Sequence, residues 1–438
     1  MTQILHITPH LGGGIGKVLY ELVEQSIKSH SEFEHMIVCL DKPEKRQFVD
    51  KINEHGNKVI ECPTVDQLKF LMEKSDIIQL EYINNPVIFK YLCRMDIPPI
   101  RLLVWSHNNG LYNPIIPLKL TLDSHKFIFT SPCSFKKQYK TETKWIYNND
   151  GSTKWGEFEE GFLGWIFSSG GFEEFPYVER NYKNISVGYF GSTNFSKMHP
   201  NYADYVNEVD IPDFKVKIIG DLHNKEILEK QSNRFEFTGF VTDVVEELKS
   251  INVLAYILNP EHYGTTENAL LESMSMGIIP IVLENPAEDC IIGDFYSGIK
   301  IRNKRDFKNV IRFLYENPRV CKWLGTCASE SVRNIFSIEN TSLALNNSYE
   351  QLMKMEKRKI DFKSIFGDTP DQWFLSCQSN KEIFNNDGTI HLSNINKCSD
   401  YSKYMLFEET KGSAIHFSKY FPENERLKKW SKNLKLLQ

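Results

Sequence analysis

Several features common in other protein classes are absent from this chain, and each absence removes a class of function. No apolar stretch approaches the roughly 20 residues that a membrane-crossing helix requires, so the chain reads as one that does not span a bilayer. The nine cysteines are odd in number and scattered. No two have the C-x-x-C spacing of a zinc or redox site, which points to reduced thiols rather than a disulfide framework. Positive charge is not in excess: 52 Lys and Arg stand against 57 Asp and Glu, a net charge of −5. A nucleic-acid binder is usually basic overall or along one face, so nucleic acid is not an expected partner. There is no internal repeat and no low-complexity tract. The opening residues, Met1 to Pro9, form a short apolar run without a basic leader. They read as a first β-strand and not as a signal peptide, so a cytoplasmic location is expected.

What is present is the composition of an ordinary enzyme, 41% hydrophobic and 25% charged. At 438 residues the chain exceeds what one hydrophobic core usually serves, so two domains and an appendage are expected. The aromatic content, 13% with 29 Phe, fits core packing and also carbohydrate handling. Apolar or β-branched runs at residues 4–8, 36–40, 77–80, 102–105 and 127–130 alternate with amphipathic stretches. This rhythm predicts βαβ units and a parallel sheet. It is interrupted by a polar stretch over 148–160, expected to be a loop. Residues 172–183 contain a proline and no periodicity, and read as a linker. The alternation restarts with strands expected at 185–190, 215–219, 235–238, 253–258 and 278–283. The expected organisation is a first lobe over 1–171, the linker, a second lobe over 184–345, and a crossover helix with a C-terminal extension over 346–438. In doubly wound sheets ligands bind beyond the carboxyl ends of the strands.

Two segments could carry chemistry. After the first strand comes Leu11-Gly12-Gly13-Gly14-Ile15-Gly16-Lys17-Val18. It is not a Walker loop, which would need Gly at 11 and Ser or Thr at 18. It is not a dinucleotide fingerprint starting from Gly12 either, because Lys17 stands where the last glycine belongs. Adjacent glycines do allow a tight turn and close approach of backbone to a ligand, at the start of a helix whose free N–H groups face oxygen atoms. The second segment runs His262-Tyr263-Gly264-Thr265-Thr266-Glu267-Asn268-Ala269-Leu270-Leu271-Glu272-Ser273-Met274-Ser275-Met276-Gly277 and leads into an apolar strand. It reads as a Gly/Thr turn and a helix closed by Gly277, with Thr265 or Thr266 expected as the helix cap. Glu267 falls in the first turn, where the helix dipole favours a carboxylate. Glu272 sits among Ala269, Leu270, Leu271 and Met274, where a charge needs hydrogen-bond partners; a carboxylate there can accept the two hydroxyls of a ribose.

This second segment resembles the signature of the retaining glycosyltransferase family 4, whose GT-B fold pairs two Rossmann-like lobes across a cleft. The family pattern has two glutamates eight positions apart, the second opening Glu-[Ala/Ser]-Met-x-x-Gly-x-Pro-Val. Glu272-Ser273-Met274-Ser275-Met276-Gly277 with Pro280 is similar to its second half. The resemblance assigns Glu272 to the nucleotide ribose. The first glutamate would fall at Gly264, and Glu267 is the candidate substitute. Phe190-Gly191-Ser192-Thr193-Asn194-Phe195-Ser196-Lys197 is similar to the family's Gly-Arg-Leu-x-x-x-Lys element, with Ser192 at the Arg position. It implies that Lys197 neutralises the donor diphosphate. Val104-Trp105-Ser106-His107-Asn108 ends a strand as does the family histidine that contacts the donor sugar, and Gly12 to Gly14 match its glycine turn. Phe237-Thr238-Gly239-Phe240 resembles the recurring Phe-x-Gly.

The resemblance implies a hexosyl- or N-acetylhexosaminyltransferase acting with retention in polysaccharide assembly, on a glycan, lipid-linked or protein acceptor. The expected catalytic residues are His107, Lys197 and Glu267. The expected donor-binding residues are Gly13, Gly14, Gly191, Lys197, Gly264, Thr265, Thr266, Glu267 and Glu272. No cofactor and no metal are expected. The alternative reading is a catalytically idle pair of lobes that binds a glycan or a protein partner, suggested by Gly264 and Ser192. In the extension, Leu427, Trp430, Leu434 and Leu437 fall on one helical face with lysines elsewhere, a pattern suited to docking on a lobe, to a homo-oligomer contact, or to peripheral contact with an anionic membrane.

Overall fold

The computed structural model describes residues 1–43, 45–135 and 163–437; the loop expected over 148–160 lies outside them. The chain divides into two compact units, residues 1–170 with 338–438, and residues 171–337.

The first unit is built on seven strands: β1 Thr2–Thr8, β2 Phe33–Cys39, β3 Val59–Glu61, β4 Ile77–Tyr82, β5 Leu102–Ser106, β6 Lys126–Phe129 and β7 Leu163–Trp165. Their order is β3-β2-β1-β4-β5-β6-β7, and every pairing is parallel. Parallel strands covered on both faces read as unbroken apolar runs, and β4 is buried along its whole length. The order reverses between β1 and β4, which places a topological switch point at their carboxyl ends. Helix Gly13–Lys28 follows β1 directly. A Cβ at Gly16 would collide with the carbonyl of Leu11, so this turn can enter its helix only with glycine there.

One face of this sheet is covered by helix Ile338–Met353, whose Leu345, Tyr349 and Leu352 pack with Ile4, Leu103 and Trp105. The second unit therefore ends at Ser337 and not at the expected 345: this helix leaves it and takes its core from the first sheet. The opposite face is covered by the rest of the chain. Phe366 and Phe417 meet Phe89 with ring centroids 4.8 and 5.5 Å away. The Tyr420 hydroxyl donates to Asp41 at 2.6 Å. Leu427, Trp430 and Leu434 are fully buried in the same core as Leu5, Leu80 and Tyr82. The extension is thus structural core of the first unit. Leu437, expected on the same buried face, is instead 43% exposed, because the helix Glu425–Lys435 has already ended.

The second unit has six parallel strands, β8 Val187–Gly191, β9 Val216–Gly220, β10 Phe235–Gly239, β11 Val253–Tyr256, β12 Ile279–Leu283 and β13 Ile299–Ile301, in the order β10-β9-β8-β11-β12-β13. Its switch point lies between β8 and β11. Residues 172–183, read as a linker, belong to this unit. Arg180 Nε donates to the carbonyl of Met276 at 3.2 Å and the Tyr182 hydroxyl to that of Gly277 at 2.9 Å. Among the described residues no helix is long and apolar enough to cross a membrane.

Candidate active site

The loops leaving β8 and β11, on either side of the second switch point, are stitched together. Asn259 N–H donates to the Lys197 carbonyl at 2.8 Å, and Asn259 Nδ2 to that of Phe195 at 2.7 Å. This holds Lys197 beside the turn that precedes helix Asn268–Ser275. Lys197 Nζ then reaches Glu267 Oε1 at 2.5 Å, while the Tyr256 hydroxyl donates to Glu267 Oε2 at 2.7 Å. The side chains are 13% and 3% exposed for Lys197 and Glu267. Burial opposes ionisation of Glu267, but the charge of Lys197 and the hydrogen bonds from Lys197 and Tyr256 outweigh it and hold the carboxyl below its ordinary value. Burial, followed by the charge of Glu267, pushes the Tyr256 phenol well up, which keeps it a hydrogen-bond donor.

Glu267 adopts φ 55° and ψ 64°, the left-handed region, a conformation that costs a side-chain-bearing residue about 1 kcal/mol or more. It occupies the helix cap position itself, and its side chain makes no capping bond. The expectation that Thr265 or Thr266 caps the helix is therefore corrected. Both are buried in the turn, and the helix begins only after Glu267, whose carboxylate is turned away toward Lys197. The consequence appears at Gly264. A Cβ there would collide with Glu267 Oε1 and Lys197 Nζ, so the ion pair fills the space that a side chain at 264 would take.

A second buried carboxylate stands behind this turn. His262 Nε2 lies 3.1 Å from Glu288 Oε1, and the Gly264 N–H donates to His262 Nδ1 at 3.1 Å. His262, Glu267 and Glu288 form a group able to approach one metal ion. Both ring nitrogens of His262 are committed, however, one to Glu288 and one to Gly264, and the Lys197 ammonium lies on Glu267, so this donor set suits hydrogen bonding better than a cation. Glu272 is half-buried on the helix between Leu271 and Ser273, both buried. Gly191 ends β8 and pairs in register with Gly220.

In the first unit, Gly13 and Gly14 are exposed as the first two residues of helix Gly13–Lys28, and in the turn before them the Gly12 N–H donates to His10 Nδ1 at 3.2 Å. His107 follows β5, its side chain 6% exposed and its Nε2 2.7 Å from Glu81 Oε2. Of the residues singled out in the sequence, the fold brings Lys197, Glu267 and Gly264 into direct contact. It sets Gly13, Gly14 and His107 beyond carboxyl ends of strands in the first unit. Tyr256, His262, Glu288 and Glu81 were not singled out. Glu81 carried a readable signal, an acid inside the apolar run of β4.

Residues 185–317 match the family model described as glycosyl transferases group 1. No curated protein matches the sequence. Among solved structures, a glycosyltransferase from Rickettsia africae is similar at 13% identity and a TM-score of 0.59, over 81% of this chain and 99% of that one. HepE of Anabaena, solved with UDP, is similar at 12% identity and a TM-score of 0.60, over 80% and 100%. A TarM variant of S. aureus, solved with UDP, is similar at 11% identity and a TM-score of 0.60, over 81% and 100%. The fold is the GT-B fold of glycosyltransferases: two parallel sheets with helices, and here a helical C-terminal region.

Proposed function

We propose that this chain is a retaining glycosyltransferase that moves a hexosyl or N-acetylhexosaminyl group from a nucleotide sugar to a glycan, lipid-linked or protein acceptor in polysaccharide assembly. The observation that carries this reading is the buried Lys197–Glu267 pair beside Gly264, inside the segment that matches the glycosyltransferase family model. An ammonium has three donors and Glu267 takes one of them, so Lys197 retains donors for a diphosphate. Each oxygen of Glu267 keeps a lone pair for a hydroxyl of the donor sugar. Glu272 receives the ribose hydroxyls. Lys197, with the amides of Thr265, Thr266 and Glu267, stabilises the departing phosphate as its charge grows, and positioning does the rest. Gly191, Gly13, Gly14 and His107 complete the donor-binding and catalytic set. The reading requires no divalent metal, so activity is expected to persist in EDTA. It places the protein in the cytoplasm or peripherally on the inner membrane face.

The test is thermal shift against UDP, GDP, ADP and CMP, followed by release of UDP from UDP-glucose. UDP is the expected ligand, because HepE and TarM were solved with it. Ligand at a hundred times its Kd stabilises by about 2.7 kcal/mol. Glu272→Ala should weaken that binding roughly ten- to a hundredfold, the cost of about 1.5–3 kcal/mol for hydrogen bonds to a charged acceptor. Absence of any nucleotide-dependent shift, together with no UDP release, overturns the reading.

A further inference from the structure

Behind His107 the first unit holds a buried polar chain whose other members have no task in the reading above. Glu81 is fully buried on β4. Its Oε1 accepts from His6 Nδ1 and Gln79 Nε2, both at 2.8 Å, and its Oε2 from His107 Nε2 at 2.7 Å. Behind it, His6 Nε2 lies 2.8 Å from His35 Nδ1, and the Tyr349 hydroxyl donates to Gln79 Oε1 at 2.6 Å. Four elements, β1, β2, β4 and helix Ile338–Met353, thus contribute polar groups to a network at the centre of a parallel sheet, where apolar residues are the rule.

The proton positions follow from counting. His35 Nε2 is buried without a partner. A bare lone pair there costs less than an orphaned N–H, so the His35 proton sits on Nδ1 and is donated to His6 Nε2. His6 then carries its own proton on Nδ1, toward Glu81. Burial, and secondarily the neighbouring His6, push His35 well down, in keeping with a neutral ring. Glu81 is held below its ordinary value: burial works against its ionisation, and the bonds from His107 and His6 outweigh that. One oxygen accepts from His6 and Gln79 and the other from His107; an ionised carboxylate can only accept, so the proton in the last bond belongs to His107 Nε2.

We propose that Glu81 is a positioning residue for His107: it fixes the ring with Nε2–H directed into the sheet, so that Nδ1 is the atom left to meet a hydroxyl of the bound sugar. The sugar contact rests on the function proposed above; the fixed tautomer does not. Held as the Nε2–H tautomer, His107 accepts a hydrogen bond from a hydroxyl at Nδ1 instead of donating one. An amide at 81 cannot enforce this, because its NH2 end must face one of the two imidazoles and demands a lone pair there.

The test is nitrogen NMR of histidine-labelled protein, with His107→Ala to assign the signal. Wild-type His107 is expected as the Nε2–H tautomer; Glu81→Gln should move population to Nδ1–H. In the same variant, UDP-glucose turnover should fall about ten- to a hundredfold, as when a partner that orients a liganding histidine is lost, while UDP affinity stays within twofold. An Nδ1–H tautomer in the wild type overturns the proposal even if the variant fails to fold. So does an unchanged tautomer with unchanged turnover in folded Glu81→Gln. If the wild type shows the Nε2–H tautomer but never turns over UDP-glucose, it is the proposed activity that fails, and the tautomer shift still decides the role of Glu81.

Discussion

Breaking the Lys197–Glu267 pair gives the most direct measure of how tightly the candidate site is built. At 2.5 Å and an effective dielectric of about 20, the Coulomb attraction is roughly 7 kcal/mol. Desolvating two ions at several kcal/mol each removes most of that gain, so the intact pair adds little net stability, whereas deleting one partner costs about 3–5 kcal/mol. Glu267→Gln leaves a lysine that is 13% exposed and can still reach water, so a loss near 3 kcal/mol is expected. Lys197→Met leaves a carboxylate only 3% exposed with the Tyr256 hydroxyl still donating to it, and should cost about 4 kcal/mol. The double variant retains neither charge and should cost only about 1–2 kcal/mol. The coupling is then roughly 5–6 kcal/mol, at the upper end for close charge pairs. Urea unfolding at pH 7, followed by fluorine NMR of fluorotryptophan at Trp323, reports on the second unit. The pH matters because the folded-state pKa of Glu267 is depressed. Its contribution is fully present above the unfolded carboxylate pKa of about 4.3 and is lost as pH falls through the lower folded value. Single-variant losses that sum to the double-variant loss within about 0.5 kcal/mol would refute the pair as a coupled unit.

Gly264→Ala should separate Lys197 from Glu267 without straining the backbone, and lower UDP-glucose turnover at least about tenfold, or 1.4 kcal/mol; a crystal structure with the pair unmoved and activity unchanged would contradict this. His199 is buried, accepts the Asn201 N–H at Nδ1, and is lowered by burial to about 4. The unfolded state therefore binds the extra proton first, and the second unit should lose up to about 3 kcal/mol as pH falls from about 6.5 toward 4; His199→Gln should flatten that limb, and a persisting slope assigns it elsewhere. Trp430→Ala should cost the first unit about 3–5 kcal/mol, and ending the chain after Met355 should give aggregated protein; a monodisperse, fully active product of that length would show the extension to be dispensable.

The parts of the fold that were legible share one physical property. Strands such as β4, β11 and β12 are buried on both faces, so burial itself writes a continuous apolar run. The strands that escaped, β3, β7 and β13, are three residues each, too short for any period to register. Residues 172–183 looked like a linker because their contacts are made by Arg180 and Tyr182 to carbonyls near position 276, which no local pattern reveals. The extension was opaque for a similar reason. Its short helices, among them Phe362–Phe366 and Pro370–Ser376, have no amphipathic period of their own and acquire a buried face only against Phe89 and Tyr82, far away in the chain.

The candidate site was half legible for a different reason. Residue spacing finds a carboxylate only where the backbone between two landmarks follows its usual path. Here the carboxylate that meets Lys197 stands at 267 and not at 264, and a straight helix entry would carry it away from Lys197. The left-handed turn at Glu267 reverses that displacement by folding the side chain back over Gly264, whose missing Cβ supplies the room. A non-glycine residue at positive φ is the choice that propensity disfavours most, so the sequence could nominate Glu267 but could not show how it reaches the lysine. The strain and the glycine are two halves of one device. Supplying a Cβ at 264 should displace this carboxylate and Glu267→Gln removes its charge in place, so the two variants are expected to converge on a single loss of donor turnover.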